Sequence, residues 1–441
     1  MNDLKRARAE RGWSQSRLIA AMEAEARRMQ RSIAEPSSLK TQLSRWENGH
    51  HTPDAFYQEL LERVYGKPAH QLGFGGDDTL GLEVGSTWEQ CADSAVELWS
   101  GDMERRTFLQ SVAVASTAFS TPVLTALIAD PASSVTRSSG SRTVGEDDIA
   151  FIRDVTGQLS KLDNKHGGGH VRRAALSLLD DEVAPLLRSG KFTDATGREL
   201  LSAAAELTQL VGWMSHDMGG HGVAQRYLIQ ALGLARSAGD TALVAELLCA
   251  MSQQSTYVSD PQAADLARAA RSVAERRGHI SLVAESRIME AHAHARAGAS
   301  ADCAVSLHEA DIALDKADRS DEPHWIKYFD HAYVAAKFGH CFRELGDHRN
   351  AIKFAEQSLD MDGTYVRGQA FNLTLLAHSQ ANAGDVASAC VTGREAVAIA
   401  AKLRSTRAVA YLRDLRASLD YADATADVKE FDQLLEPVLA A

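Results

Sequence analysis

The chain has 441 residues, 45% hydrophobic and 24% charged, which is room for two or more domains with ample apolar sequence for a core. Its formal net charge of −12 argues against a nucleic-acid partner if taken whole, but the charge is unevenly placed. Residues 1–70 carry 12 Lys+Arg against 9 Asp+Glu, a net of +3, and the remainder carries 35 against 50, a net of −15. That asymmetry excludes phosphate binding by the body of the chain and suits a small basic domain on an acidic one.

Leu4 to Gly12 reads as a basic first helix closed by glycine, and Trp13-Ser14-Gln15 opens a second, with Ser14 as N-cap. The basic stretch 24–36 is expected to lengthen that helix and the turn after it, with Arg27, Arg28 and Arg31 either adding phosphate contacts or forming a solvated basic helix end. Pro36 is expected to end it, and Ser37 or Ser38 to cap the next helix. That next helix, Leu39 to Gly49, anchors through Leu43 and Trp46 and carries Lys40, Thr41, Gln42 and Arg45 on a polar face. A helix of this kind can lie in a DNA major groove.

The segments LKRARAERGWSQ at 4–15 and LSRWENG at 43–49, with Thr52-Pro53 after them, resemble the DNA-binding domain of Cro-like phage repressors, the XRE-type helix-turn-helix family. The resemblance implies that Gln15 bonds a phosphate, that Lys40, Thr41 and Arg45 face bases, and that Asn48 meets the backbone again. Ser38 and Gln42 complete the expected DNA-binding set. Arg8 and Glu47 match a pair that the resemblance makes a buried, structural ion pair. One departure stands out: 24 residues separate Gln15 from Lys40, far more than in the family. An excess of three charges predicts modest affinity, so a homodimer on an inverted repeat of double-stranded DNA is the expectation.

Pro53-Asp54 opens a further helix with Phe56, Leu60, Leu61 and Val64 at helical spacing, and Leu72-Gly73-Phe74 completes a first domain at 1–74. Residues 75–146 read as a linker with one or two helices. Within it, Glu104-Arg105-Arg106-Thr107-Phe108-Leu109 and the uncharged run to Ala129 imitate a twin-arginine export signal. Gln110, Pro122 and several Ser/Thr interrupt that run, so a docked linker helix is expected rather than a membrane span.

From 147 to 441 the chain is Ala- and Leu-rich, with helix after helix and no strand-like alternation. Turn signals fall at Gly219-Gly220, Ser259-Asp260, Ala299-Ser300, Gly346-Asp347 and Gly384-Asp385, spaced by 40, 40, 47 and 38 residues. An alanine follows each at a fixed offset: Ala224, Ala264, Ala304, Ala351 and Ala389. A period near 40 with one small residue per unit predicts an α-solenoid of antiparallel helix pairs, hence an all-α protein. The units resemble tetratricopeptide repeats, most clearly at Tyr333, Gly339, Leu345-Gly346-Asp347, Ala351, Phe354-Ala355 and Leu359, although the period exceeds the usual value of about 34. Segments 147–190 and 405–437 read as divergent or capping helices.

No catalytic constellation is present. His166-Gly-Gly-Gly-His170 imitates an esterase oxyanion loop, but no GxSxG exists, and triglycine reads as a mobile loop. His308-Glu309 lacks the second histidine of HExxH, and no phosphate-binding glycine motif occurs. Five cysteines (Cys91, Cys249, Cys303, Cys341, Cys390) lack metal-finger spacing and, with no N-terminal signal sequence, read as reduced thiols of a cytoplasmic protein. No cofactor, metal or membrane role is expected. If the first helix of each pair lines a concave face, Gln253, Arg287, His294, Tyr333 and Asn372 are candidate ligand contacts, with Gln254, Tyr257, His340 and His378 nearby. The expected protein is therefore a non-enzymatic, sequence-specific transcriptional regulator whose repeat domain dimerises and senses a peptide or small molecule. The alternative is a scaffold whose repeats dock a partner protein. A closed polar interior favours the sensor; an open groove or apolar patch favours the scaffold.

Overall fold

A computed structural model of the chain describes residues 3–29, 31, 33–48, 53, 55–67, 72, 80–104, 114, 118–128, 130–318, 322–422 and 425–440. Among the described residues the fold is all-α apart from one two-residue parallel pair, β1 (Arg142–Thr143) with β2 (Gly190–Lys191), and an isolated antiparallel bridge between Arg137 and Phe192. It comprises two compact units, Met1–Leu80 and Gly81–Ala441.

The first unit holds α1 (Asp3–Glu10), α2 (Gln15–Arg28), α3 (Pro36–Glu47) and α4 (Ala55–Tyr65). Gly12 takes φ +63° and turns the chain after α1, and Ser14 caps α2 by accepting from the Arg17 N–H. Leu4, Leu18, Met22, Leu39, Leu43, Trp46, Leu60, Leu61 and Leu72 are buried together as the core. The start of α3 differs from the sequence expectation. Pro36 does not end the preceding segment but occupies the first turn of α3, Glu35 stands at the N-cap without a side-chain bond, and Ser38 lies inside the helix, exposed. Proline suits that place because its fixed φ is helical and an N–H there would have no intrahelical acceptor. Gly49, Thr52, Asp54, Gly73 and Phe74 lie outside the described residues.

In the second unit, α5 (Trp88–Glu104) and α6 (Ser120–Ile128) precede the β1 strand. Then come α7 (Glu146–His166), α8 (Gly168–Ser177), a π-helical turn at Leu178–Val183 and α9 (Ala184–Ser189). Helix pairs follow: α10 (Asp194–Asp217) with α11 (His221–Ala238), α12 (Thr241–Tyr257) with α13 (Ala263–Arg277), and α14 (Ile280–Arg296) with α15 (Ser300–Leu314). The last are α16 (His331–Glu344) with α17 (His348–Gln357), α18 (Val366–Asn382) with α19 (Val386–Ala400), and α20 (Thr406–Ala417) with α21 (Ala426–Ala440).

In the first five pairs the turn is made by a residue at positive φ: Gly219, Ser259, Gly298, Gly346 and Gly384. In the last two, the aspartate after the glycine caps the next helix, Asp347 receiving Asn350 N–H and Asp385 receiving Ser388 N–H. The alanine rule needs correction. Ala224, Ala351 and Ala389 are fully buried, but Ala264 is half-buried and Ala304 exposed, and Cys303 fills the equivalent place in its unit. The cause is the turn: Gly298, not Ala299, is the left-handed residue there, so the register starts one residue earlier.

The described residues of 81–146 do not behave as a linker. Where described, the segment Gly81–Glu104 packs on α11: Gln230 donates to the carbonyls of Gly81 and Glu83, Arg236 donates to that of Gly85, and Trp99 is fully buried. The Asp102 carboxylate accepts from Arg172 and from the Tyr227 hydroxyl. Residues 105–113, 115–117 and 129 of the twin-arginine-like stretch lie outside the described residues. Its described end, α6, docks through Ser120 on Gln262 of α13's cap. Among the described residues, no helix is long and apolar enough to cross a membrane.

Candidate functional site

Helix α3 is held from behind and presents its front to solvent. Leu39, Leu43 and Trp46 are buried, at helical spacing, on the core side. Ser38, Lys40, Thr41, Arg45 and Asn48 are exposed on the other, and Gln42 is half-buried. At the C-terminal end of the helix, Glu47 is 2% exposed and bridges three elements. It accepts 2.5 and 3.0 Å bonds from the Arg8 guanidinium of α1 and a 2.9 Å bond from Gln15 Nε2 of α2. The Glu47 bond and charge hold the Arg8 proton more firmly than usual. Asn48 ends the helix and folds its side chain back onto the Ser44 carbonyl at 2.8 Å. Gln15 thus stands half-exposed beside α3, orienting it through Glu47. Of the basic residues of the long α2 region, Arg28 pairs with Glu25 and Arg31 lies over the Phe56 ring.

In the repeat unit, the first helices α10, α12, α14, α16, α18 and α20 succeed one another around an inner face. The circuit is closed by the helices at its two ends. Arg404 N–H donates to His166 O at 2.9 Å and Gly169 N–H to Arg404 O at 3.2 Å. Arg367 of α18 reaches Asp163 and Asn164 of α7, and Ser405 bonds Asp217 of α10. The triglycine of 167–169 is therefore a packed clasp and not a mobile loop. A Cβ at Gly167 would lie 2.5 Å from Arg404 O, and one at Gly168 2.7 Å from Met214 O.

One half of the inner face is acidic and filled by the chain itself. The turn from α15 to α16, long enough to explain the 47-residue spacing, contains the 3-10 segment His324–Tyr328, which lies across the first helices. His324 meets Glu206 at 3.2 Å, and the Tyr328 hydroxyl lies 2.6 Å from Glu246 and 2.9 Å from Glu285. Burial pushes both carboxyls up, and for Glu246 the neighbouring Glu285 charge adds to it. Burial also brings the Lys337 ammonium, beside them on α16, down to about 8. A cleft of about 530 Å³ beside His324 is lined by Glu146, Arg153, Asp154 and Glu199.

The other half is a run of rings. His216 of α10 touches His221 and Tyr257, each at 4.9 Å between centroids. Tyr257 leads to Tyr411 of α20 at 6.2 Å, and Tyr411 leads to Phe371 at 5.2 Å and His340 at 6.4 Å. His340 faces His292 at 5.6 Å, and the Arg407 guanidinium lies 4.3 Å over Phe371. Burial first, and the cations Arg407, Arg343 and Lys337 after it, hold His216, His292 and His340 well below the usual imidazole range, and His378 falls to about 4.

The structure does not gather the five expected ligand contacts. Tyr333 lies on the inner face, 3.3 Å from Glu285, and Gln253 is half-buried on α12. Arg287 is tied to Glu290 and Glu309, and His294 stands 3.8 Å from the same Glu290, which also takes Arg268 and Arg271 of α13. Asn372 donates to the Ser358 carbonyl. Arg287 and Asn372 brace neighbouring elements, and His294 stays against its own helix. Tyr257 and His340 do reach the inner face, joined by His216, His292, Arg407 and Tyr411, which sequence reasoning missed. The signal for Arg407 and Tyr411 was absent, because the closing contact of α20 with α10 spans almost 190 residues. Among the described residues, no three His, Cys, Asp or Glu side chains are gathered as for a metal ion.

No family model matches the chain, and neither a curated protein nor a solved structure matches it.

Proposed function

We propose that the protein is a sequence-specific DNA-binding transcriptional regulator, in which α2 and α3 form a helix-turn-helix and the repeat unit senses an effector. One observation carries the reading: Lys40, Thr41 and Arg45 are exposed together on a helix whose opposite side is locked by Leu39, Leu43, Trp46 and the buried Glu47. A rigid helix with an exposed polar and basic face is what reading base edges requires. The net charge of +3 on residues 1–70 supplies attraction to phosphate without strong affinity, so two copies on an inverted repeat are part of the proposal. The closed inner face supports effector sensing over the scaffold alternative, which needs an open groove. The reading places the protein in the cytoplasm.

The test is selection of genomic DNA fragments by the purified full-length chain at a stated salt concentration. A recovered inverted repeat whose binding Arg45→Ala weakens by about 1–3 kcal/mol, with relaxed preference at one position, supports the proposal. Failure to enrich any motif refutes it.

A further inference from the structure

The acidic half of the inner face is occupied by His324–Tyr328, so an effector has the ring-lined half to itself. Several polar atoms there lack a hydrogen-bond partner among the described residues although they are buried: His216 Nε2, His292 Nδ1, Gln254 Oε1 and Arg407 Nε. His216 is 1% exposed and Gln254 2%. Buried polar atoms without partners are costly and rare, and four of them around one run of rings mark a place built for polar contents.

The charges in this half are unequally engaged. Arg367 binds Asp163 through 2.8 and 2.7 Å contacts and stands 3.3 Å from Asp217. Asp217 is further occupied by Ser405 and the Gly168 N–H. Arg407 is left with Asp217 at 3.6 Å from its Nε, beyond hydrogen-bond reach, and with the face of Phe371. Among the described residues its Nε has no hydrogen-bond partner, and Phe371 covers its face. Around it, Phe371, Tyr257 and Tyr411 offer flat apolar surface from three different helices, and His216 and His292 offer ring nitrogens.

We infer that the ring-lined half of the inner face binds a small planar aromatic acid, its carboxylate on Arg407 and its ring among Tyr257, Phe371 and Tyr411. A guanidinium with free donors selects a carboxylate, and offset rings select a flat body. His324 and Tyr328 already engage Glu206, Glu246 and Glu285, the inner-face carboxyls that would otherwise meet the amine end of an extended peptide. This deepens the sensor reading proposed above and rests on it for its consequence, although the binding itself is measured without DNA.

The experiment is isothermal titration of the full-length chain with 1-naphthoate, with its neutral counterpart 1-naphthamide and with a random heptapeptide mixture. Naphthoate is expected to bind at least tenfold more tightly than the amide. Arg407→Gln should remove that preference, while Tyr411→Ala should weaken both ligands. Should Arg407→Gln fail to fold, the acid-over-amide preference of the unaltered chain and the Tyr411→Ala result still decide. Equal binding of acid and amide, an unchanged preference in Arg407→Gln, or no heat from either ligand overturns the proposal. In the last case the unpartnered atoms hold water only. Heat from the peptides with naphthoate silent overturns it in favour of a peptide effector. Loss of DNA binding with naphthoate binding retained would sink the regulator reading alone.

Discussion

Asp217 Oδ1 accepts a 2.8 Å hydrogen bond from Ser405 Oγ, which joins the end of the first long repeat helix to the start of the last repeat pair. Burial raises the cost of the Asp217 charge, but Arg367 and Arg407, with the Ser405 and Gly168 bonds, hold the carboxyl below its usual range. The ends of the repeat unit therefore meet through a charged, hydrogen-bonded seam and not merely through apolar contact.

Glycine at 168 is the test of that seam. A Cβ there would press within 2.7 Å of the Met214 carbonyl, so Gly168→Ala should destabilise the repeat unit by about 1–3 kcal/mol through overpacking. Gly157, inside α7 with nothing within 4 Å of its would-be Cβ, supplies the contrast. Gly157→Ala should be neutral or stabilise by up to about 1 kcal/mol. Thermal unfolding of the two variants would separate them, and equal behaviour would contradict a clasp at 166–169.

In the first unit, Glu47→Ala removes the acceptor shared by Arg8 and Gln15. Breaking a pair this buried costs about 3–5 kcal/mol, enough to unfold a small domain. Amide exchange of α1–α4 should accelerate while the repeat helices stay protected. Arg45→Ala, at an exposed position, should leave the same exchange rates unaltered.

Asp102 tests whether α5 belongs to the repeat unit. Asp102→Ala would strand the Arg172 guanidinium and the Tyr227 hydroxyl, both buried. A loss of about 3–5 kcal/mol from the repeat unit is expected in chemical denaturation. A change of a few tenths would mean that α5 is a loosely attached linker helix after all.

The depressed imidazoles fix a sign for pH dependence. His216, His292 and His340 stay neutral in the fold where the unfolded chain, with its ordinary value of 6.5, takes up protons. Their contribution is complete above pH 6.5 and is lost as pH falls below it, down to about 4, where His378 also becomes charged in the fold. His324, raised by its bond to Glu206, acts the other way, and so do the raised Glu246 and Glu285 carboxyls, which gain stability as they take up a proton. The melting temperature should fall between about pH 7.5 and 5. In Glu246→Gln, which removes an opposing group, the fall should be steeper. A rise, or a slope unaffected by Glu246→Gln, would contradict this balance.

Much of the fold was legible locally. Helix periodicity, the Gly-Asp turns and the capping residues each act within a few positions, so the repeat pairs and α1–α4 followed from the sequence. The Arg8–Glu47 pair followed from family resemblance and not from spacing. What escaped depended on distant contacts. The triglycine looked mobile because its partners are distant in the chain: Arg404, more than 230 residues away, crowds Gly167 and Gly169, and the Met214 carbonyl crowds Gly168. Gly81–Glu104 looked like part of a linker because its acidic, glycine-containing start is polar, yet its backbone carbonyls are what Gln230 and Arg236 require. On the inner face, Tyr257, Tyr333 and His340 could be placed by counting back from the turns, whereas Arg287, His294 and Asn372 sit on the same helices a fraction of a turn away.

An open array of repeats has two frayed extremities, and its stability drains from them inward, because each repeat leans only on its neighbours. Joining the extremities at His166–Gly169 and Arg404 removes both at once. Nearest-neighbour coupling then runs around a loop, so loosening any one pair is felt from two directions, and melting should become a single concerted event. Whatever seats itself among the rings would then tighten every pair of helices together, and no pair could respond alone.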